Sequence, residues 1–212
     1  ANVAHEVKNP LNSMRLWLEN LKAAAASDDT TAQQALQVLD AEIGRLDRVV
    51  KRLLEFQRPA EMHLEETSLH EILESVVLSA RPKMEAQGIE ISCNWNGAPS
   101  ALVDRQQFRQ AIQNLVLNAI EAMPGGGKLT LSLEQQGEHA EISVSDTGSG
   151  IPRELHGKVF QLFFTTRPDG NGIGLATAAR IVLDHNGSID FSSEAGRGTT
   201  FRIELPLARA AH

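Results

Sequence analysis

Apolar residues at Val7, Leu11, Met14, Leu18, Leu21 and Ala25 are spaced 4, 3, 4, 3 and 4, which is the seam of an amphipathic helix. Leu16 and Trp17 fall beside that seam and widen it. After the polar turn SDDTTA the rhythm resumes at Leu36, Leu39, Ile43, Leu46, Val50 and Leu53, so the pattern predicts a hairpin of two long helices. Val38, Val49 and Leu54 add apolar surface beyond the seam. A second hairpin packed there would complete a dimeric four-helix bundle; the alternative is that these residues cover the rest of the chain. The pattern fails at Pro59, which pushes the residue before it out of helical geometry, and the polar stretch EMHLEET follows. The expected domains are therefore residues 1–61 and 62–212.

Beyond the boundary the period alternates between helix and strand. Leu69, Ile72, Leu73, Val76, Val77 and Ala80 predict a helix from Ser68 to Gln87, followed by strands at IEISCNW and ALVD. A second helix runs from Asp104, a good N-cap, to Met123, where Pro124-Gly125-Gly126-Gly127 stops it. Strands are expected at Lys128 to Glu134 and Ala140 to Ser145, with a turn at Gln135 to Glu138 between them. LATAARIVLDH reads as helix, and SIDFSSE and TTFRIELP as a hairpin around Ala195-Gly196-Arg197-Gly198. The fold class is α+β: a helical hairpin, then an α/β sandwich with a mixed sheet.

Composition narrows the function. With 212 residues and 42% hydrophobic content the chain can bury a core, and a net charge of -7 without any basic run argues against a nucleic-acid surface. A single cysteine, Cys93, excludes an internal disulfide and a Cys-rich metal site, and it is expected to pack in a strand. No apolar run reaches the ~20 residues of a membrane span. The helical pattern is already running at Ala1, so the expectation is that further segments precede it, and that any membrane attachment runs through them.

The candidate chemistry clusters between residues 143 and 176. Ile142 and Val144 lead a strand into Asp146-Thr147-Gly148-Ser149-Gly150, which delivers a carboxylate to a glycine turn. A carboxylate there accepts the exocyclic N–H of adenine and disfavours guanine, which offers an acceptor. Gly170-Asn171-Gly172-Ile173-Gly174 opens directly into the LATAARIVLDH helix, whose free N–H groups suit phosphate. Between them, Phe160 to Arg167 reads as a mobile lid carrying one cation. Asn114 and Asn118, four residues apart, share a helix face, and two neutral amides beside phosphates suit Mg²⁺. Taken singly, a GxG is mostly a turn and an Asn pair mostly a solvated face.

Together these stretches resemble the nucleotide-binding boxes of sensor histidine kinases and of the gyrase, chaperone and mismatch-repair ATPases. DTGSGIP is similar to the first glycine box, VFQLFF to the phenylalanine box, GNGIGLA to the second glycine box and the Asn114–Asn118 helix to the asparagine box. The resemblance implies ATP and Mg²⁺ as cofactors, with Asn118, ahead of Asn114, as metal ligand. It implies nucleotide contacts from Asn114, Asn118, Asp146, Gly148, Gly150, Thr165, Thr166, Gly170, Gly172, Gly174 and Leu175. Lys158 and Arg167 are candidate phosphate contacts, Arg167 the better because a lid can close it on the γ-phosphate. GRGTTF resembles the last glycine box, with Thr199 near the adenine, and reads equally as a plain hairpin turn.

The phosphoryl acceptor is expected at His5, because HEVKNPL resembles the phosphoacceptor box, with Val7 where Ile or Leu is usual. In the heptad frame Val7 lies on the seam while His5, Glu6 and Asn9 lie off it. Glu6 can take the other ring proton of His5 as the N–P bond forms, and Asn9 can orient a water for the reverse, dephosphorylating reaction. Pro10 should kink the helix just past the acceptor. The other six histidines, His63, His70, His139, His156, His185 and His212, carry no such motif. ATP-hydrolysing relatives are expected to hold glutamate where this chain has Asn114, a poor general base, which sets aside the rival reading as a hydrolysing clamp. The other rival, a catalytically silent scaffold, is opposed by intact boxes. The reading is a cytoplasmic histidine kinase core that dimerises through its hairpin, phosphorylates His5 and passes the group to an aspartate of a response-regulator receiver domain.

Overall fold

The computed structural model of the chain describes residues 13–18, 36–39, 41–44, 62–167 and 172–208. Two compact units divide it, one of Ala1–Ala60 with Leu162–Ile173, the other of Glu61–Gln161 with Gly174–His212. In the first unit the described residues 13–18, 36–39 and 41–44 are helical, as the heptad spacing predicts. Of its seam residues, Leu18, Leu36 and Ile43 are exposed in the single chain. His5, Glu6, Asn9, Pro59 and Gly170 lie outside the described residues.

The second unit runs β1 (Glu65–Ser68), α1 (Leu69–Ala86), β2 (Ile89–Asn96), β3 (Ser100–Val103), α2 (Arg105–Glu121), β4 (Gly127–Gln136), β5 (His139–Asp146), a 3₁₀ turn (Arg153–Lys158), α3 (Gly174–Asp184), β6 (Ser188–Glu194) and β7 (Gly198–Pro206). Five strands form one sheet in the order β2-β4-β5-β7-β6, and β1 pairs with β3 in a separate two-stranded sheet. The large sheet is mixed: β2 runs parallel to β4 and every other pair is antiparallel.

Strand alternation decides which face is covered. Leu129, Leu131 and Leu133 of β4, Ala140, Ile142 and Val144 of β5 and Phe201, Ile203 and Leu205 of β7 join one core with Leu73, Val76, Phe108, Ile112 and Leu115 of the helices. The intervening residues make the opposite face polar, with hydroxyl pairs Ser132···Ser143 at 2.6 Å and Ser145···Thr200 at 2.8 Å. A one-sided, mostly antiparallel sheet under helices is the sandwich that alternating polarity calls for.

Two local expectations need correction. EMHLEET is not all connector, because Glu65–Ser68 pairs antiparallel with β3. The strand is only four residues long and buries Thr67 alone among its polar residues, too little alternation to register as a strand. Cys93 does lie in a strand, but it is exposed rather than packed, because β2 forms the edge of the sheet.

Candidate functional site

Asp146 is the last residue of β5, the middle strand of the large sheet. Ile142, Val144 and Asp146 share the core-facing side, so the carboxylate is carried into a slot only 4% exposed. Burying a carboxylate is costly unless donors meet it, and Gly148 N–H donates to Asp146 Oδ1 at 2.8 Å. On the neighbouring strand β7, Thr199 stands directly opposite Asp146 and is equally buried.

The turn after Asp146 is held from several sides. Ser149 N–H donates to the Ala122 carbonyl at the end of α2 (3.1 Å), and Gly196 N–H in the β6–β7 turn donates to the Ser149 carbonyl (2.7 Å). Ile151 N–H donates to Ser193 Oγ at 2.8 Å, and His156 Nε2–H donates to the Ile151 carbonyl at 3.0 Å. Gly148 and Gly198 are among the glycines this packing requires. A Cβ on Gly148 would stand 2.5 Å from the Ala122 carbonyl oxygen, while Gly198, at φ +101, would drive a Cβ into the backbone of Asp146.

The α2 helix brings the amides. Ile112, Leu115, Ala119 and Ile120 are its packed side, and Asn114 and Asn118 lie on the adjoining half-buried face. A Cβ at Gly174, the first residue of α3, would lie 3.9 Å from the side chain of Asn114, so the α3 N-terminus opens beside the asparagine face. Asp104 caps α2 by accepting Gln106 and Gln107 N–H at 3.0 Å each. Burial alone would raise its carboxyl, but the N–H groups of Gln107, His63 and Gln106 and the Gln107 side chain outweigh burial and hold it below the usual range.

Not every predicted residue joins these two clusters. Gly150, at φ +64, belongs with the Asp146 turn, packed against Glu194 and Ala195. Leu175 packs against the core, and Lys158 stands exposed at the end of the 3₁₀ turn. In the other unit, Phe163 N–H donates to the Gly172 carbonyl at 2.8 Å and the Thr165 hydroxyl accepts Arg167 N–H at 3.1 Å, while Thr166 is exposed. Sequence reasoning passes over Ser193 and His156. Strand period places Ser193 with Ile189 and Phe191 on the inward side of β6, but nothing local sets it apart from the other serines of that strand.

A buried acceptor on a glycine turn, with a helix N-terminus beside paired amides, is an arrangement for holding a purine nucleotide by its base and its phosphates. Residues 103–209 match the model of the histidine kinase-, DNA gyrase B- and HSP90-like ATPases, and residues 1–61 match the His Kinase A (phospho-acceptor) domain. The chain belongs to the sensor histidine kinases. This histidine kinase core is 34% identical over 209 residues to sporulation kinase C of Bacillus subtilis (strain 168), covering 98% of the chain and 48% of that relative. It therefore spans about half the length of that kinase. Among solved structures, histidine kinase ThkA in complex with response regulator protein TrrA is similar with a TM-score of 0.76 and 29% identity, over 97% of this chain and 60% of that one. Full-length ShkA in complex with AMPPNP gives a TM-score of 0.72 and 26% identity, over 99% and 46%. The core thus carries a phosphoacceptor module and an ATP-binding module of one kinase family.

Proposed function

We propose that this kinase core binds Mg-ATP within a catalytic domain of residues 62–212 and transfers the γ-phosphoryl group to His5 in a phosphoacceptor domain of residues 1–61. The observation that carries the reading is Asp146, 4% exposed at the end of the middle strand, fixed by Gly148 N–H and facing Thr199. There the carboxylate accepts the adenine N6–H, and the Gly148 and Gly150 turn lets the base approach the backbone. Gly174 opens α3, whose N-terminal N–H groups suit the phosphates, and by family resemblance Gly170, Gly172, Leu175, Thr165, Thr166, Lys158 and Arg167 are the further candidate nucleotide contacts.

The donor set fits Mg²⁺, because Asn118 and Asn114 offer neutral amide oxygens on one half-buried face beside Gly174. When bound, the metal neutralises charge on the phosphate oxygens. Asn114 cannot serve as a strong base towards water, so hydrolysis stays slow and the acceptor is the imidazole. A neutral ring nitrogen of His5 attacks the γ-phosphorus, the bond to the bridging oxygen breaks, and ADP leaves with that electron pair. Glu6 takes the remaining ring proton, and Asn9 orients water for the reverse, dephosphorylating step.

The next acceptor is an aspartate of a response-regulator receiver domain, a reading supported by the ThkA relative, whose structure holds a response regulator. Homodimerisation through the hairpin is supported by Leu18, Leu36 and Ile43, seam residues that are 47%, 59% and 56% exposed in one chain. No helix among the described residues is long and apolar enough to cross a membrane. The need for ATP puts the site on the cytoplasmic side.

Incubation with γ-labelled ATP tests the reading. The chain should acquire an acid-labile, alkali-stable label that His5→Gln abolishes while AMPPNP affinity stays the same. Label persisting in His5→Gln would move the acceptor elsewhere, and steady phosphate release without any label would point to the hydrolysing clamp.

A further inference from the structure

Ser193 Oγ makes three contacts, and they determine where its proton goes. It accepts Ile151 N–H at 2.8 Å, donates to the Gly198 carbonyl at 2.9 Å and lies 2.9 Å from Thr199 Oγ1, its register partner across β6 and β7. A hydroxyl has one proton and a carbonyl only accepts, so the Ser193 proton is committed to Gly198. The proton between the two hydroxyls must then come from Thr199. With that proton spent, Thr199 Oγ1 has only lone pairs to offer elsewhere, and the ionised carboxylate of Asp146 opposite is likewise an acceptor.

We propose that Ser193 sets the purine specificity of this kinase core by fixing the Thr199 hydroxyl as an acceptor. The proposal rests on the reading of Asp146 and Thr199 as the base site. Adenine presents N6–H donors to such a site, whereas guanine presents its O6 acceptor in the same place and meets lone pairs. Guanine is rejected because its oxygen finds no donor, the kind of mismatch that discriminates more strongly than shape. Ser193 acts through Thr199 and through Ile151, and is a positioning residue. Asp146 alone would still favour adenine, but a Thr199 hydroxyl free to rotate would offer guanine a donor.

The test is calorimetric titration of the whole chain with AMPPNP and with its guanine counterpart, GMPPNP. Ser193→Ala should weaken AMPPNP binding about tenfold, the upper end of one neutral hydrogen bond, and narrow the AMPPNP to GMPPNP preference by about the same factor. Ser193→Thr keeps the hydroxyl and should restore the preference. An unchanged preference in Ser193→Ala overturns the inference, even where the melting temperature falls, because a purely structural role lowers both affinities alike. Should Ser193→Ala not fold, Thr199→Val decides: it removes the acceptor and should narrow the preference, and an unaltered ratio sinks the idea. Asp146→Asn is titrated in parallel. Undiminished AMPPNP affinity there means that the base-site reading has failed and takes the inference with it, whereas weakened binding there beside an unchanged Ser193→Ala ratio removes the inference alone.

Discussion

His185 Nε2 accepts the backbone N–H of Asp104 at 2.9 Å, joining residues 81 positions apart. The same ring donates from Nδ1 to the Ile181 carbonyl at 2.7 Å, which fixes the neutral tautomer, and His185 is 2% exposed. One imidazole thereby ties the end of α3 to the start of α2, the helix that carries Asn114 and Asn118. His185→Leu leaves the Asp104 N–H buried without its acceptor and should cost about 1–3 kcal/mol of folding stability. Urea denaturation checks this, and an unchanged midpoint would show that the bond contributes nothing.

Asp104 gives a pH-dependent counterpart. Its folded carboxyl is held below the ordinary range, so its contribution is fully present above the unfolded value near 3.8 and is lost as pH falls through the lower folded value. Asp104→Ala should cost about 0.5–2 kcal/mol at neutral pH, the usual worth of an N-cap. The gap between wild type and variant should close in melts taken progressively below the unfolded value. A gap that persists undiminished in acid would refute the charged-cap account.

At the proposed nucleotide site, Asp146→Asn should weaken AMPPNP binding roughly tenfold to a hundredfold, since a hydrogen bond to a charged group is worth ~1.5–3 kcal/mol. The amide also turns an NH₂ towards the adenine donor. Retained affinity would remove Asp146 from the base contact.

The helices and most strands are legible from period alone, and the Asp104 cap from its place before an apolar run. What escapes is whatever depends on partners distant in the chain. β1 is invisible because its pairing with β3 lies between two polar-edged segments, Glu65–Ser68 and Ser100–Val103, neither of which alternates for long. Nor does any local signal show that β2 and β4 run parallel across the intervening β3 and α2. Asp146 is readable because glycines surround it, whereas Ser193 looks like one of several serines in β6 until its three contacts are seen.

Gly148→Ala tests the docking of the Asp146 turn on α2. The added Cβ would stand 2.5 Å from the Ala122 carbonyl oxygen, a backbone atom that cannot rotate aside. Overpacking of this kind typically costs about 1–3 kcal/mol, and the displaced turn should also lose nucleotide affinity. A fully stable variant with normal AMPPNP binding would mean that the turn yields at no cost.

Asp146 closes the middle strand, paired to Leu129 on one side and to Thr199 on the other, so the proposed base contact stands at the end of the strand farthest from either edge of the sheet. Fraying of the sheet's outer edges leaves that contact in place; it is loosened where β5 itself, or the Gly148 turn that follows it, gives way. ATP binding is therefore linked to the folding of the domain, and saturation at a hundred times its dissociation constant adds about 2.7 kcal/mol to its stability. In a cell rich in ATP, the occupied domain is the long-lived one and the empty domain the one exposed to proteolysis.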